Sequence, residues 1–232
     1  MQYLYLWLDL GSLAIPFLFS FHPKLAFHKK WRSFFPALLL MMCIFIPWDI
    51  IFTAEGFWGF NEAYLSGIYL FNLPLEEWLF FLCIPYACLF SHYALITLLP
   101  KLTLSKRTTQ IIYVSLVSVL IIALWYGYSQ WYTFICFAYA ILLLGIVYNR
   151  VPNLLSKFFP TYLVILIPFF IVNGFLTGSW IDEAVVWYNN EENFGWRLGT
   201  IPVEDTIYNL GMLLTVFVGT EYLESYFNRN KA

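Results

Sequence analysis

Seven apolar stretches divide the chain, and each is about long enough to cross a bilayer as a helix. A hydrocarbon core of about 30 Å takes roughly 20 helical residues, and helices or closed barrels alone satisfy their backbone polar groups there. Charged residues make up 11% of the sequence, against about 25% in a soluble domain. The sequence therefore predicts an all-α polytopic membrane helix bundle of about seven transmembrane helices. The predicted spans are residues 3–20, 33–52, 74–98, 109–127, 131–149, 158–177 and 201–223.

Charge in the connections predicts the orientation of these spans. Every second connection, and the end of the chain, is basic: Lys24, Lys29, Lys30, Arg32; Lys101, Lys106, Arg107; Arg150, Lys157; Arg229, Lys231. The alternate connections carry acids, with Arg197 as their one base: Glu55, Glu62; Asp182, Glu183, Glu191, Glu192. Basic connections stay in the cytoplasm. We expect an integral protein of the bacterial inner (cell) membrane, with its N-terminus outside and its C-terminus cytoplasmic.

The first span is expected to stay in the mature protein. It has no basic segment before it and no small-residue cleavage site, and Asp9 interrupts its apolar run. These features are unlike a removable signal peptide. Because Asp9 is near the end of the span, we expect it at the membrane rim, exposed to water.

Three short motifs occur twice, in the same order, and indicate a duplication. Phe-Phe-Pro at 34–36 recurs at 158–160, Gly-Phe-Trp at 56–58 as Gly-Ser-Trp at 178–180, and Pro-Leu-Glu-Glu at 74–77 as Pro-Val-Glu-Asp at 202–205. The first register places Asp49 opposite Asn173. We predict two parallel three-helix repeats, residues 1–100 and 131–232, joined by a linking transmembrane helix within 101–130. Sites in such proteins tend to lie at the repeat interface.

The recurring acid pairs are the first candidate site. Glu76 and Glu77 lie near the start of the third span, and Glu204 and Asp205 lie at the same depth in the seventh. A charge at a helix centre costs at least about 2.5 kcal/mol, so intramembrane acids mark functional sites by default. Helix capping is the alternative, since acids offset the helix dipole there. Adjacent residues diverge by about 100°, so capping explains one acid of each pair but not both.

Asp49, near the outer end of the second span, adds a third acid at the same level. Carboxyl groups that approach each other in a dry site leave at least one protonated near neutral pH. Such a group is a general acid able to protonate an apolar molecule. Asn173 cannot titrate, so the two repeats are not equivalent.

Aromatic residues make up 22% of the chain. Interfacial belts account for many of them, and we assign Trp58, Trp131 and Trp180 to such belts. Others lie near the acids at helical spacing, where packing is the simplest role of any one of them. Together they could line a pocket whose ring faces stabilise a carbocation, at about 0.5–2 kcal/mol each. This set is Trp48, Trp78, Phe80, Phe81, Tyr86 and Tyr208.

The sequence predicts no metal site and no cofactor. The histidines and cysteines are scattered without ligand spacing, and neither a G-x-G-x-x-G nor a P-loop pattern occurs. We also expect no nucleic-acid partner.

The two acid motifs, with Pro-Trp-Asp at 47–49 and G-x-W in each outer connection, make the chain resemble the heterodimeric-type lycopene cyclases. That family occurs as two small three-helix subunits or as one fused chain. The resemblance implies flavin-free, redox-neutral cyclisation of the ψ end of a linear carotenoid such as lycopene to a β-ionone ring. An acid protonates the terminal double bond, the chain closes as a carbocation, and a base removes a proton. By motif, the acid/base candidates are Glu76, Glu77 and Glu204, supported by Asp205 and Asp49.

The resemblance also implies a carotenoid substrate, contact with membrane lipid, and carotenoid-pathway enzymes as further partners. The second motif differs from the first by Asp205 and by the Ile207-Tyr208 that follows, which leaves open a non-catalytic isoprenoid-binding protein. A proton-coupled transporter is a second alternative, with helix breaks expected at Pro85 and Pro168. A retinal-type photoreceptor is excluded, because residues 201–223 contain no lysine.

Overall fold

The structure is a computed structural model that describes residues 2–229. Lys231, one of the predicted cytoplasmic bases, is outside the described residues. Apolar runs bounded by polar or proline-containing connections form seven long helices, which confirms the all-α prediction. They are α1 Leu4–Phe19, α2 Trp31–Ala54, α3 Leu75–Leu98, α4 Lys106–Tyr126, α5 Trp131–Arg150, α6 Pro152–Leu176 and α7 Val203–Arg229.

Helices α2 to α6 are each long and apolar enough to cross a membrane. Of the other two long helices in residues 2–229, α1 is apolar but has 16 residues. Helix α7 has 27 residues but carries acids at its start and near its end, which lower its mean hydropathy. The count of seven spans, the orientation and the repeat boundaries therefore stay predictions.

Short hairpins precede α3 and α7 and fix where these helices begin. Strand β2 (Tyr69–Leu70) pairs with β3 (Leu73–Pro74), and β5 (Arg197–Leu198) pairs with β6 (Ile201–Pro202). The second strand of each ends at a proline, which lacks the N–H that a helix interior needs and suits the residue before the first turn. Each acid pair consequently enters the first turn of its helix.

A third strand pair joins the two long connections. Strand β1 (Trp58–Phe60) lies antiparallel to β4 (Val186–Tyr188), with Trp58 opposite Tyr188. None of these strands was predicted from the sequence. Because the β1–β4 pair links the connection before α3 to the connection before α7, it ties the predicted repeats together. We call the end of the bundle that carries these six strands the hairpin end.

The helices of the predicted repeats interlock. Within each repeat the first helix packs on the last, α1 on α3 and α5 on α7. Across the repeats, α2 packs most extensively on α7, and α3 packs on α6. A small-residue contact lets α2 and α7 approach closely, since a Cβ added at Gly219 would lie 2.9 Å from the Cβ of Ala37. Helix α4 lies outside this arrangement, against α5 and α6, and most of its surface is exposed.

Candidate active site

Three acids from three helices line one cavity at the hairpin end. Asp49 comes from the last turns of α2, Glu77 from the first turn of α3 and Asp205 from the first turn of α7. The cavity has a volume of about 60 Å³, which is room for a few water molecules. We call it the acid pocket. Its other lining residues are Tyr5, Trp58, Phe60, Phe80, Tyr132, Phe169, Asn173, Leu176, Thr177, Val186, Tyr188, Tyr208, Asn209 and Met212.

Asp49 and Glu77 form a buried carboxyl pair. Both are buried side chains that line the acid pocket, near enough for each carboxyl group to affect the ionisation of the other. Asp49 Oδ1 accepts a 2.7 Å bond from Trp58 Nε1, while Asp49 Oδ2 meets no N–H or O–H donor among residues 2–229. Glu77 Oε2 accepts a 2.6 Å bond from the hydroxyl of Tyr5. A shared proton between the two carboxyls would satisfy the oxygen that has no donor.

Asp205 sits differently, because both of its oxygens accept hydrogen bonds from tyrosines. Tyr132 donates to Oδ1 at 2.6 Å, and Tyr188 donates to Oδ2 at 2.9 Å. Tyr188 belongs to β4, outside the helices, and burial followed by the nearby Asp205 raises its pKa well above the usual range. Tyr188 therefore keeps its proton and acts as a donor. Two charge-assisted bonds of this kind stabilise the ionised form of a carboxylate.

The first acid of each pair faces away from the acid pocket and holds the preceding connection. Glu76 Oε1 accepts a 2.7 Å bond from the backbone N–H of Ser66. Glu204 Oε1 accepts a 2.9 Å bond from the backbone N–H of Phe194, and a 2.7 Å bond from the Thr133 hydroxyl. In both cases the bonded N–H lies ten residues before the acid. The two acids of a pair thus have different surroundings, as their angular separation on a helix requires.

Two of the predicted aromatic residues, Phe80 and Tyr208, line the acid pocket. Trp48 lies behind the wall, with its ring centroid 5.0 Å from that of Tyr208. Phe81 is fully buried elsewhere in the core. Trp78 bonds the carbonyl of Leu70 at the hairpin before α3. Tyr86 lies further along α3, where its hydroxyl bonds Ser20 and Trp31.

Two sequence-based expectations are wrong. Asp9 is not exposed to water: its exposed fraction is 0%, because α1 packs along α3 and turns this side chain inward, near Glu76. Trp58 is not part of an interfacial belt: it is 6% exposed, because the β1–β4 pair folds its connection back over the acid pocket. Trp131 and Trp180 are more than half exposed.

Three tyrosines and one amide of the acid pocket were not predicted from the sequence: Tyr5, Tyr132, Tyr188 and Asn209. Tyr5 and Tyr132 both lie near the start of the first helix of their predicted repeat, so extending the repeat comparison to α1 and α5 would have found them. Tyr188 carried no comparable signal. Asn209 is 2% exposed, and neither of its amide atoms has a hydrogen-bond partner within the described part of the chain.

An apolar groove adjoins the acid pocket. It lies between α1, α3 and α6, has a volume of about 160 Å³, and shares Phe80, Phe169 and Asn173 with the acid pocket. Its remaining lining residues are Ser12, Pro16, Ile84, Ala87, Cys88, Ser91, Ile165, Pro168 and Val172.

Comparison with known families gives one match, which occurs twice. A family model described as lycopene cyclase matches residues 2–96 and again residues 129–223. The two matched segments cover most of the chain and contain all five predicted acids. No curated protein and no solved structure matches the chain.

Proposed function

The chain belongs to the lycopene cyclase family, and from that premise we propose that it is a β-cyclase closing the ψ end of a linear carotenoid such as lycopene. The observation that carries the proposal is the convergence of Asp49, Glu77 and Asp205 on one buried, aromatic-walled pocket. The reaction needs one acid and one base at the same carbon framework. These three carboxyls supply both without a metal or a flavin, so we classify the activity as a redox-neutral isomerisation by intramolecular ring closure.

The Asp49–Glu77 pair is the proposed general acid. Two neighbouring carboxyl groups that are shielded from bulk water do not both ionise, so the pair retains a proton. That proton forms the new C–H bond at the terminal double bond of the substrate. The neighbouring double bond then attacks the cation and closes the ring.

Asp205 is the proposed general base. Its two tyrosine donors favour its ionised form, and it lines the same pocket from the opposite repeat. It takes the ring proton whose loss restores a double bond, so that no electrons are gained or lost overall. The proton must return to the acid pair before the next turnover, and a pocket with room for a few waters offers a route.

Aromatic faces in the pocket stabilise the cationic intermediate. Phe80 on α3 lines the pocket wall from the first predicted repeat, and Tyr208 on α7 lines it from the second. Trp58 on β1 completes the wall. A cation over such a ring gains about 0.5–2 kcal/mol. The same walls exclude bulk water, which would otherwise trap the carbocation as an alcohol.

Glu76 and Glu204 act in this scheme as positioning residues. Neither lines the acid pocket, and each binds the backbone of the connection that precedes its helix. They keep the two hairpins in place, and with them Glu77 and Asp205.

Pigment analysis tests the proposal directly. The chain is expressed in a bacterial host that accumulates lycopene, and carotenoids are extracted and separated. We expect β-ring products with the wild type and lycopene alone with Glu77→Gln. The control is Glu62→Gln, at an exposed acid of the connection before α3, which should also form β-ring products. Lycopene alone with the wild type, at normal membrane levels of the protein, would overturn the cyclase proposal for this substrate.

Two alternatives make different predictions. The transporter hypothesis expected helix breaks at Pro85 and Pro168, yet α3 and α6 continue as α-helix through both prolines. Proton uptake into liposomes containing the protein would support the transporter hypothesis.

A non-catalytic isoprenoid-binding protein would retain lycopene on purification and form no ring. With the cyclase activity we also propose an inner-membrane location, an N-terminus outside the cell and association with carotenoid-pathway enzymes.

A further inference from the structure

We infer that the apolar groove between α1, α3 and α6 holds the polyene chain of the substrate while its end group occupies the acid pocket. The inference rests on the proposed function and says where the unreactive part of the substrate binds. Phe80, Phe169 and Asn173 belong to both cavities, so the groove opens directly beside the acids. A linear molecule whose end lies among the acids would extend into it.

The chemistry of the groove favours a hydrocarbon without polar groups. Its walls are mostly aliphatic and aromatic, and the two serines in it turn back on their own helices. Ser12 donates to the carbonyl of Leu8 at 2.7 Å, and Ser91 donates to the carbonyl of Ala87 at 2.8 Å. Both serine donors are therefore already used. A ligand that needed hydrogen bonds would gain little here, whereas burial of a polyene gains about 25 cal/mol for each Å² removed from water.

The shape of the groove favours an extended occupant. Its α3 wall runs from Phe80 to Ser91, a rise of about 16 Å at 1.5 Å per residue. That distance is about half of a hydrocarbon core of about 30 Å. The wall leads away from the hairpin end, so an elongated molecule would lie along the bundle with one end at the acids.

Neighbouring residues of α6 provide a matched pair of variants. Val172 lines the groove, whereas Ile171 is 51% exposed on the outer face of the same helix. Val172→Trp should fill the groove with little change to the acids, and Ile171→Trp should add the same bulk outside. Both are made in the Glu77→Gln protein, so that retention of lycopene is measured without turnover, and again in the wild type, so that conversion is measured.

We expect the Glu77→Gln protein purified from lycopene-accumulating membranes to carry lycopene, detected by its visible absorption. Adding Val172→Trp should lower the retained lycopene about ten-fold, a typical effect of overpacking a filled site, while Ile171→Trp leaves it unchanged. Conversion by the otherwise wild-type protein should fall in the same order. If Val172→Trp prevents accumulation of the protein, Ala87→Leu in the α3 wall of the groove replaces it with the same readouts.

Equal retention of lycopene by the Val172→Trp and Ile171→Trp proteins would overturn the inference. Failure of the proposed function looks different. In that case the wild type forms no ring, while the Val172→Trp change still displaces bound lycopene. The two results separate the binding of the polyene from the chemistry at its end.

Discussion

The two adjacent acids of each motif face different surroundings. Glu77 faces the acid pocket, where it pairs with Asp49 and accepts a bond from Tyr5. Glu76, one residue earlier, accepts the backbone N–H of Ser66. An amide oxygen can replace a carboxylate in the second role but cannot supply a proton in the first.

This difference gives a prediction for the first motif. Glu77→Gln should lower ring formation by about 100-fold or more, the usual contribution of general acid catalysis. Glu76→Gln should keep most of the activity, because Gln still accepts the hydrogen bond from the Ser66 N–H. Glu76→Ala removes this bond, so the hairpin before α3 should become less ordered and the activity should be lost. Pigment yield per amount of membrane protein measures all three. Equal loss in Glu76→Gln and Glu77→Gln would contradict the division of roles.

The tyrosine donors to Asp205 provide a second test. Hydrogen bonds to a charged group contribute about 1.5–3 kcal/mol, so Tyr132→Phe should slow ring formation by about ten-fold or more. Tyr188→Phe should act in the same direction, and Tyr128→Phe, at an exposed tyrosine, serves as the control. Unchanged rates in both pocket variants would mean that Asp205 is not the base.

At the level of the elements, the close contact of α2 with α7 sets the position of two of the three acids. Asp49 lies on α2 and Asp205 on α7. The two helices approach at Gly219, where even a methyl group would meet the Cβ of Ala37 at 2.9 Å. Small residues at such a point let helix backbones pack closely in a membrane.

Gly219→Leu should therefore separate the two helices and lower both thermal stability and ring formation. Gly145→Leu on α5 is the matched control, because a Cβ there meets nothing within 4 Å and the change removes a helix-weakening glycine. A thermal melt in detergent, followed by circular dichroism, compares the two variants. Equal melting temperatures would show that the contact tolerates bulk.

Helix bounds were largely predictable, whereas helix faces and strand pairing were not. The predicted third span, 74–98, differs from α3 by one residue, because hydropathy and a proline define its ends. Hydropathy gives the depth of Asp9 but not the face of α1 on which it lies, so its exposure was predicted wrongly. The β1–β4 pair joins short segments that are far apart in sequence, and three-residue strands carry too little periodicity to be recognised.

The whole molecule depends on contacts between its predicted repeats. The middle helix of each repeat packs on the last helix of the other, α2 on α7 and α6 on α3. The acid pair comes from one repeat, and the proposed base with its tyrosines comes from the connection and helices of the other. Neither repeat contains a complete acid pocket.

Cutting the chain tests this dependence. Residues 1–103 and 104–232, expressed as separate chains, should each accumulate poorly and form no ring product. Together they should assemble and restore cyclisation, because α4 stays with α5 and every contact between repeats can form again. Co-purification of one fragment with a tag on the other measures assembly. Cyclisation by the first fragment alone would place the whole reaction in one repeat.

The acid pocket has a consequence for substrates whose two ends are alike. Both predicted repeats contribute to the one pocket in which we propose that an end group reacts, so such a molecule would present one terminus at a time. A second ring then requires the half-finished product to withdraw, reverse end for end in the lipid and enter again. The enzyme would thus work distributively, releasing a monocyclic carotenoid before the bicyclic one appears, and the ratio of the two would follow how long each stays in the groove.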